Sequence, residues 1–539
     1  MSSSTLIDVF GHIVFSFTRG VTEHYNPEEP EFTAESFGYN PLESTGREWY
    51  CHPVDELICQ EYSDREATSL DYLACSSLDV RVMNVCSLEE NEEIQDDNED
   101  EDRAMSWKRL RPSALRTICK SMYIGSLISL LTATLLGTLY MEISYLCFKT
   151  IHNCEYHDWR HQIPLQVQWL RTISGVILYA FIHLWYFAII LLLFRPFQLM
   201  GVKKKLTLLC CLIYCLDALY RVAMQVQKRS IYHSFTLESS PLIILFLTSV
   251  CLQTYFITNH FSALSRKQKL TLFFQMTVPG CLSFLAGSQI VYFIYPAYNK
   301  QDEQGKLSIP LFAPLIGVGL KVLSRILVQR LYNITHPGYS YVLLAPLYFG
   351  GAGIFRVLQA DLDSLNFIAV LGIIHGASEV IERSTMVVID HICHRLWKRT
   401  SAPWGSFRTP RRERLMADIV IMSTLSESIA IVTVNGLLHL YQFIYVQDKS
   451  LINVLQSFAI NTSVQLVFEW FFTSMSLAIE TRYQNMAVMA VWQRQWKRHI
   501  LVAIACVVPL AVWMNTNFLV ILHGRFNESL HKPCKMPFT

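Results

Sequence analysis

A chain of 539 residues that is 52% apolar and only 17% charged departs from the balance of soluble domains. Its formal net charge of +1 supplies no basic surface for a nucleic-acid partner. Fifteen cysteines occur without a C-x-x-C pair, so neither a zinc motif nor a redox motif is indicated, and no cofactor is expected.

Residues 1–120 read as a cytoplasmic N-terminal region. An apolar patch from Leu6 to Phe17, broken by Asp8 and His12, is too short to span a membrane and lacks the basic start of a signal peptide. Between Glu89 and Asp102 ten of fourteen residues are acidic. Such a block cannot bury enough apolar area to fold, which predicts a disordered linker over 89–102. A basic juxtamembrane segment follows over 107–120, with Lys108, Arg109, Arg111, Arg116 and Lys120.

From 121 to 522 the chain is a succession of apolar runs of about 20 residues, the length that crosses roughly 30 Å of hydrocarbon. Eleven are read: 121–148, 172–194, 206–226, 241–261, 270–295, 309–331, 341–359, 365–389, 415–445, 451–479 and 500–522. The predicted fold class is all-α, a polytopic transmembrane helical bundle of about 11 helices with the lipid bilayer as partner, behind a largely disordered N-terminal tail. Residues 523–539 form a short tail. Nothing in the sequence specifies an oligomeric state.

Lysine and arginine cluster after even-numbered runs: Lys203–Lys205 after the second, Arg266, Lys267 and Lys269 after the fourth, and Arg395 to Arg414 after the eighth. Arg482, Arg494, Lys497 and Arg498 follow the tenth. Odd-numbered exits carry fewer bases, Lys228 and Arg229 being the main exceptions. The bias predicts a cytoplasmic N-terminus and an external or lumenal C-terminus.

Within the runs, charged residues are the informative anomaly. Run three holds Asp217 and Arg221, four apart on one face, read as a structural ion pair inside the helix. Run six begins with Pro310 and Pro314, continues through Gly317 and Gly319, and then presents Lys321 and Arg325; this predicts a kinked or discontinuous helix. Run seven carries Pro346 and Gly350-Gly351-Ala352-Gly353, which points to a soft or tightly packed midsection.

Run eight places His375, Gly376, Glu379, Glu382, Arg383 and Met386 on one side, with Ile373, Ile374, Val380 and Ile381 opposite. Gly372 and Gly376 make a small-x-x-x-small step there, where another backbone can approach closely. Run nine aligns Thr424, Glu427, Ser428, Asn435, His439 and Gln442. Run ten aligns Ser457, Asn461, Gln465, Glu469, Thr473, Ser476 and Glu480. The three polar stripes are expected to meet, with Glu379 within reach of Arg383, Lys321, Asn435 or Gln465. Because Asp217-x-x-x-Arg221 and Glu379-x-x-x-Arg383 share a spacing five runs apart, an inverted repeat of two five-helix halves is a further expectation.

Carboxylates near the membrane midplane either bind and release protons or hold a cation. The expected site for transport or ion binding is therefore Glu379, Glu427 and Glu469, with His375 as a second proton carrier and Lys321 and Arg383 as counter-charges. No metal site is assigned. His391 and His394, beside Asp390, are one isolated pair read as an ordinary interfacial helix end, and H-E-x-x-H is absent. A P-loop is absent as well.

The segment from Trp492 to His499 sets Trp and His beside a membrane entry, as membrane-bound acyltransferases do, but without their spacing; it reads as an interfacial anchor. The leading functional expectation is a secondary transporter or channel for a small solute or ion, coupled to a proton or cation. The alternatives are a membrane-embedded lipid-modifying enzyme of acyltransferase-like kind, with His375 or His439 as base, and a non-catalytic receptor or scaffold.

Overall fold

The computed structural model describes residues 114–139, 142, 165–194, 196–227, 235–261, 265–289, 317–329, 331, 337–360, 365–398, 410–446, 450–482, 486 and 488–525. The readings for the tail up to 113, for the linker 89–102, for Pro310 and Pro314 and for 526–539 lie outside the described residues.

The described residues are helical, with no strand among them. In chain order they form α1 (Ala114–Thr132, extended by a π-turn at Ala133–Gly137), α2 (Leu165–Leu193), α3 (Lys203–Val226), α4 (Phe235–His260), α5 (Arg266–Gln289) and α6 (317–329). There follow α7 (Ala345–Ala360), α8 (Leu365–Lys398), α9 (Pro410–Tyr441), α10 (Leu451–Arg482) and α11 (Val488–Arg525). Each of the eleven apolar runs thus contains a helix. Among the described residues, nine helices are long and apolar enough to cross a membrane. α8, which carries charges within its apolar run, is not among them, and the described part of α6 is too short to span.

The helices are built for a hydrocarbon solvent. In α3 the buried face is Leu206, Cys210, Ile213, Asp217, Arg221 and Gln225, whereas Leu208, Leu212, Leu216 and Leu219 are exposed. A water-soluble helix would place those leucines inside and the charges outside. With lipid as solvent, leucine loses nothing by exposure and the charged groups must find protein partners. Asp217 does so: Arg221 Nε donates to its Oδ2 at 3.0 Å, and His183 of α2 lies 3.4 Å away. The intrahelical pair expected from the spacing is present, with a third partner from the neighbouring helix.

The centre of the bundle is α9, whose membrane-length stretch is buried throughout. It packs on α1, α7, α10 and α11. Small residues set these distances: a Cβ on Gly125 of α1 would come 3.3 Å from Ser428 Cβ, and one on Gly436 would come 3.4 Å from Ala133 Cβ. α8 packs chiefly on α10, and its glycine step explains why. A Cβ on Gly372 would meet the Phe468 ring at 3.8 Å, and one on Gly376 would overlap the Phe472 ring. Val380, on the aliphatic side of α8, packs against Phe472 and Ile479 of α10.

Two expectations need correction. α3 packs on its chain neighbours α2 and α4, whereas α8 turns to α10, so the contacts around the shared acid-Arg spacing do not follow the inverted-repeat pattern. α11 is kinked at Gln495 (φ −118°, ψ 16°). Trp492 is a buried core residue instead of an interfacial anchor, packed in one apolar cluster with Val488, Met489 and Val491.

Candidate functional site

Four helices assemble a buried charged cluster. α8 supplies His375, Glu379 and Arg383, each four residues from the next and so on one face. α9 supplies Ser423 and Glu427, α10 supplies Glu469, Thr473 and Glu480, and α7 supplies Phe355, Arg356 and Gln359.

Arg356 is the hub. Its Nη2 donates to Glu427 Oε2 at 2.9 Å and to Glu469 Oε2 at 3.0 Å, and its Nη1 donates to Gln359 Oε1 at 2.8 Å. Gln359 donates in turn to the Ile368 carbonyl at the start of α8, which holds the guanidinium in place. Thr473 Oγ1 donates to Glu469 Oε1 at 2.8 Å, and Ser423 Oγ donates to Glu379 Oε1 at 2.9 Å. Arg383 donates through Nε and Nη2 to the two oxygens of Glu480 at 2.8 and 2.9 Å, the bidentate geometry that makes arginine–carboxylate pairs strong. Its Nη1 lies 3.6 Å from Glu379 Oε1 and makes no hydrogen bond. His375 Nε2 is 3.3 Å from Glu427 Oε1, and the imidazole is stacked on Phe355 with centroids 3.8 Å apart.

The balance of charge separates this cluster from its neighbours. Four buried carboxylates, Glu379, Glu427, Glu469 and Glu480, face two guanidiniums, Arg356 and Arg383. The adjoining group is matched one to one: Lys321 Nζ donates to Glu382 at 2.9 Å, and Arg325 holds Asp390 at 3.2 Å with help from Gln329 at 2.7 Å. Beside the unbalanced cluster is a cavity of about 30 Å³, lined by Arg383, Thr424, Thr473, Ser121 and Trp492 among others. It is large enough for a single water molecule.

The structure therefore brings His375, Glu379, Glu427, Glu469 and Arg383 together and directs Lys321 to Glu382. The polar faces of α8, α9 and α10 meet, and Glu379 is within reach of Arg383, as the stripes led us to expect. Asp390 and His391, read as part of an interfacial helix end, are both buried, and Asp390 is held by Arg325. The side chain of His394 lies outside the described residues.

Arg356 was missed, although an arginine in the apolar run 341–359 with no acid on its own helix signals a partner elsewhere. Glu480 was aligned with its stripe but not assigned to the site. Between α9 and α11, His499 Nε2 meets Asp418 Oδ1 at 2.9 Å while its Nδ1 faces the Gln495 carbonyl at 2.9 Å. A carbonyl only accepts, so Nδ1 carries the hydrogen in that contact.

The chain matches no protein-family model, and comparison with curated proteins and with solved structures likewise gives no match.

Proposed function

We propose that this membrane protein is a secondary transporter for a small solute or ion, with a cytoplasmic N-terminus, in which protons or a cation exchange at Glu379, Glu427 and Glu469. The observation that supports this reading is the shortage of two positive charges in the cluster. Each uncompensated charge at the bilayer centre costs about 2.5–3.5 kcal/mol even on lenient insertion scales. Two net negative charges are therefore held only while protons or a cation neutralise them. A site that needs exchangeable positive charge in order to close is the element that couples an ion gradient to movement. Arg356 is the group whose contacts change as that charge leaves, since one nitrogen serves both Glu427 and Glu469.

Reconstitution into liposomes tests the reading. Solute uptake driven by an imposed pH or cation gradient, and lost in Glu469→Gln, supports it; fluxes equal to those of empty liposomes under every gradient overturn it. A second reading, an enzyme acting on lipid, is favoured by one contact. His439 Nδ1 donates to the Asn435 carbonyl at 2.8 Å, which leaves Nε2 to accept from Ser457 Oγ at 3.1 Å, a nucleophile beside a base. Labelling of Ser457 by a fluorophosphonate probe in the parent and not in His439→Ala would support that reading.

A further inference from the structure

We infer that the exchangeable positive charge is a divalent first-row transition cation held by His375, Glu379 and Glu427. This deepens the transport reading and rests on it. One ligand atom from each of the three residues lies within 4.8 Å of those from the other two. His375 and Glu379 are four apart on α8 and so share a face, while Glu427 comes from α9, so the set could not be read from local spacing.

Three further features mark the cluster as a ligand set. First, neither ring nitrogen of His375 makes a hydrogen bond, and both are shielded from solvent. Stacking on Phe355 fixes the ring with Nε2 3.3 Å from Glu427 Oε1, close to the separation of adjacent ligands on a tetrahedral ion with bonds of about 2.0–2.1 Å. Second, each carboxylate has an outer donor that orients it: Arg356 holds Glu427 Oε2, and Ser423 holds Glu379 Oε1. Third, a dication supplies the two positive charges that the four carboxylates lack against two guanidiniums.

One imidazole and two carboxylates suit Zn²⁺, Mn²⁺ or Fe²⁺. Ca²⁺, which requires six or more oxygens, does not fit. Three protein ligands leave a coordination position open, which lets an ion enter and leave.

The full chain in nanodiscs, stripped with chelator and then equilibrated with Zn²⁺, Mn²⁺ or Ca²⁺, provides the test. Elemental analysis should find one more equivalent of Zn²⁺ in the parent than in His375→Ala, with Ca²⁺ not competing. Co²⁺ should give the visible absorption of a four-coordinate N/O site in the parent only. Ser423→Ala, which removes an orienting donor and not a ligand, should weaken Zn²⁺ binding about 10–100-fold. Equal Zn²⁺ content in the parent and His375→Ala, both monodisperse, overturns the inference. If gradient-driven uptake persists in fully stripped protein, the metal assignment fails while the transport reading stands. If Zn²⁺ binds as described but no gradient drives uptake, the transport reading fails instead.

Discussion

Removing Arg356 should be the most damaging single change in the bundle, and restoring the balance of charge should repair much of the damage. The guanidinium is buried and is bonded to Glu427 at 2.9 Å and to Glu469 at 3.0 Å. Arg356→Met keeps most of the side-chain volume but leaves four carboxylates against Arg383 alone. Removing one partner of a buried ion pair costs about 3–5 kcal/mol, because the other charge stays behind unpaired. Here two carboxylates lose the same partner. At about 1.4 kcal/mol per factor of ten, the folding equilibrium shifts by roughly a hundredfold or more. In Arg356→Met/Glu469→Gln one negative charge leaves with the positive one, so the double variant should recover more than half of the loss. Denaturant unfolding in lipid–detergent micelles, followed by tryptophan fluorescence, measures all three proteins. A single variant within about 0.5 kcal/mol of the parent, the range of inert surface changes, would refute the reasoning. So would a double variant no more stable than the single one.

Other predictions follow from packing, pairing and orientation. Gly376→Ala drives a methyl into the Phe472 ring and should destabilise the α8–α10 contact by about 1–3 kcal/mol, whereas Gly351→Ala, with nothing within 4 Å of its Cβ, should change stability by less than about 0.5 kcal/mol; paired melts decide this. Glu382→Gln leaves Lys321 without its carboxylate partner, and Lys321→Met/Glu382→Gln should be the more stable of the two variants in the same unfolding assay. If the N-terminus is cytoplasmic, single cysteines placed in 398–412 should resist impermeant maleimide in intact cells and react after permeabilisation; labelling from outside reverses the orientation.

The helices themselves were legible because a membrane span is a local property, about 20 apolar residues in succession. The stripes on α8, α9 and α10 were legible for a related reason, since helical periodicity fixes which residues share a face even when the partner is unknown. Partner choice was not legible. Lys321 was read as a counter-charge to the three glutamates, but Glu382 lies 2.9 Å from its Nζ and takes it. Arg356 escaped notice because its run carries no stripe; its role appears only once α9 and α10 bring Glu427 and Glu469 to it. The acid-Arg spacing common to α3 and α8 suggested a symmetry that the helix contacts do not follow. Arg221 stays with Asp217 on its own helix, whereas Arg383 reaches across to Glu480 on α10. Sequence periodicity set the direction in which each side chain points, and tertiary packing determined what it meets.

In the transport reading, the cluster around Arg356 carries exchangeable positive charge, as protons or as a cation. Infrared difference spectroscopy of the reconstituted protein in the carboxylic C=O region tests it directly. A buried protonated-carboxyl signal is expected in chelator-stripped protein, lost in Glu379→Gln or Glu469→Gln and bleached when Zn²⁺ is added. Four carboxylates that remain ionised in stripped protein, with no signal to lose and no ion bound, would contradict it.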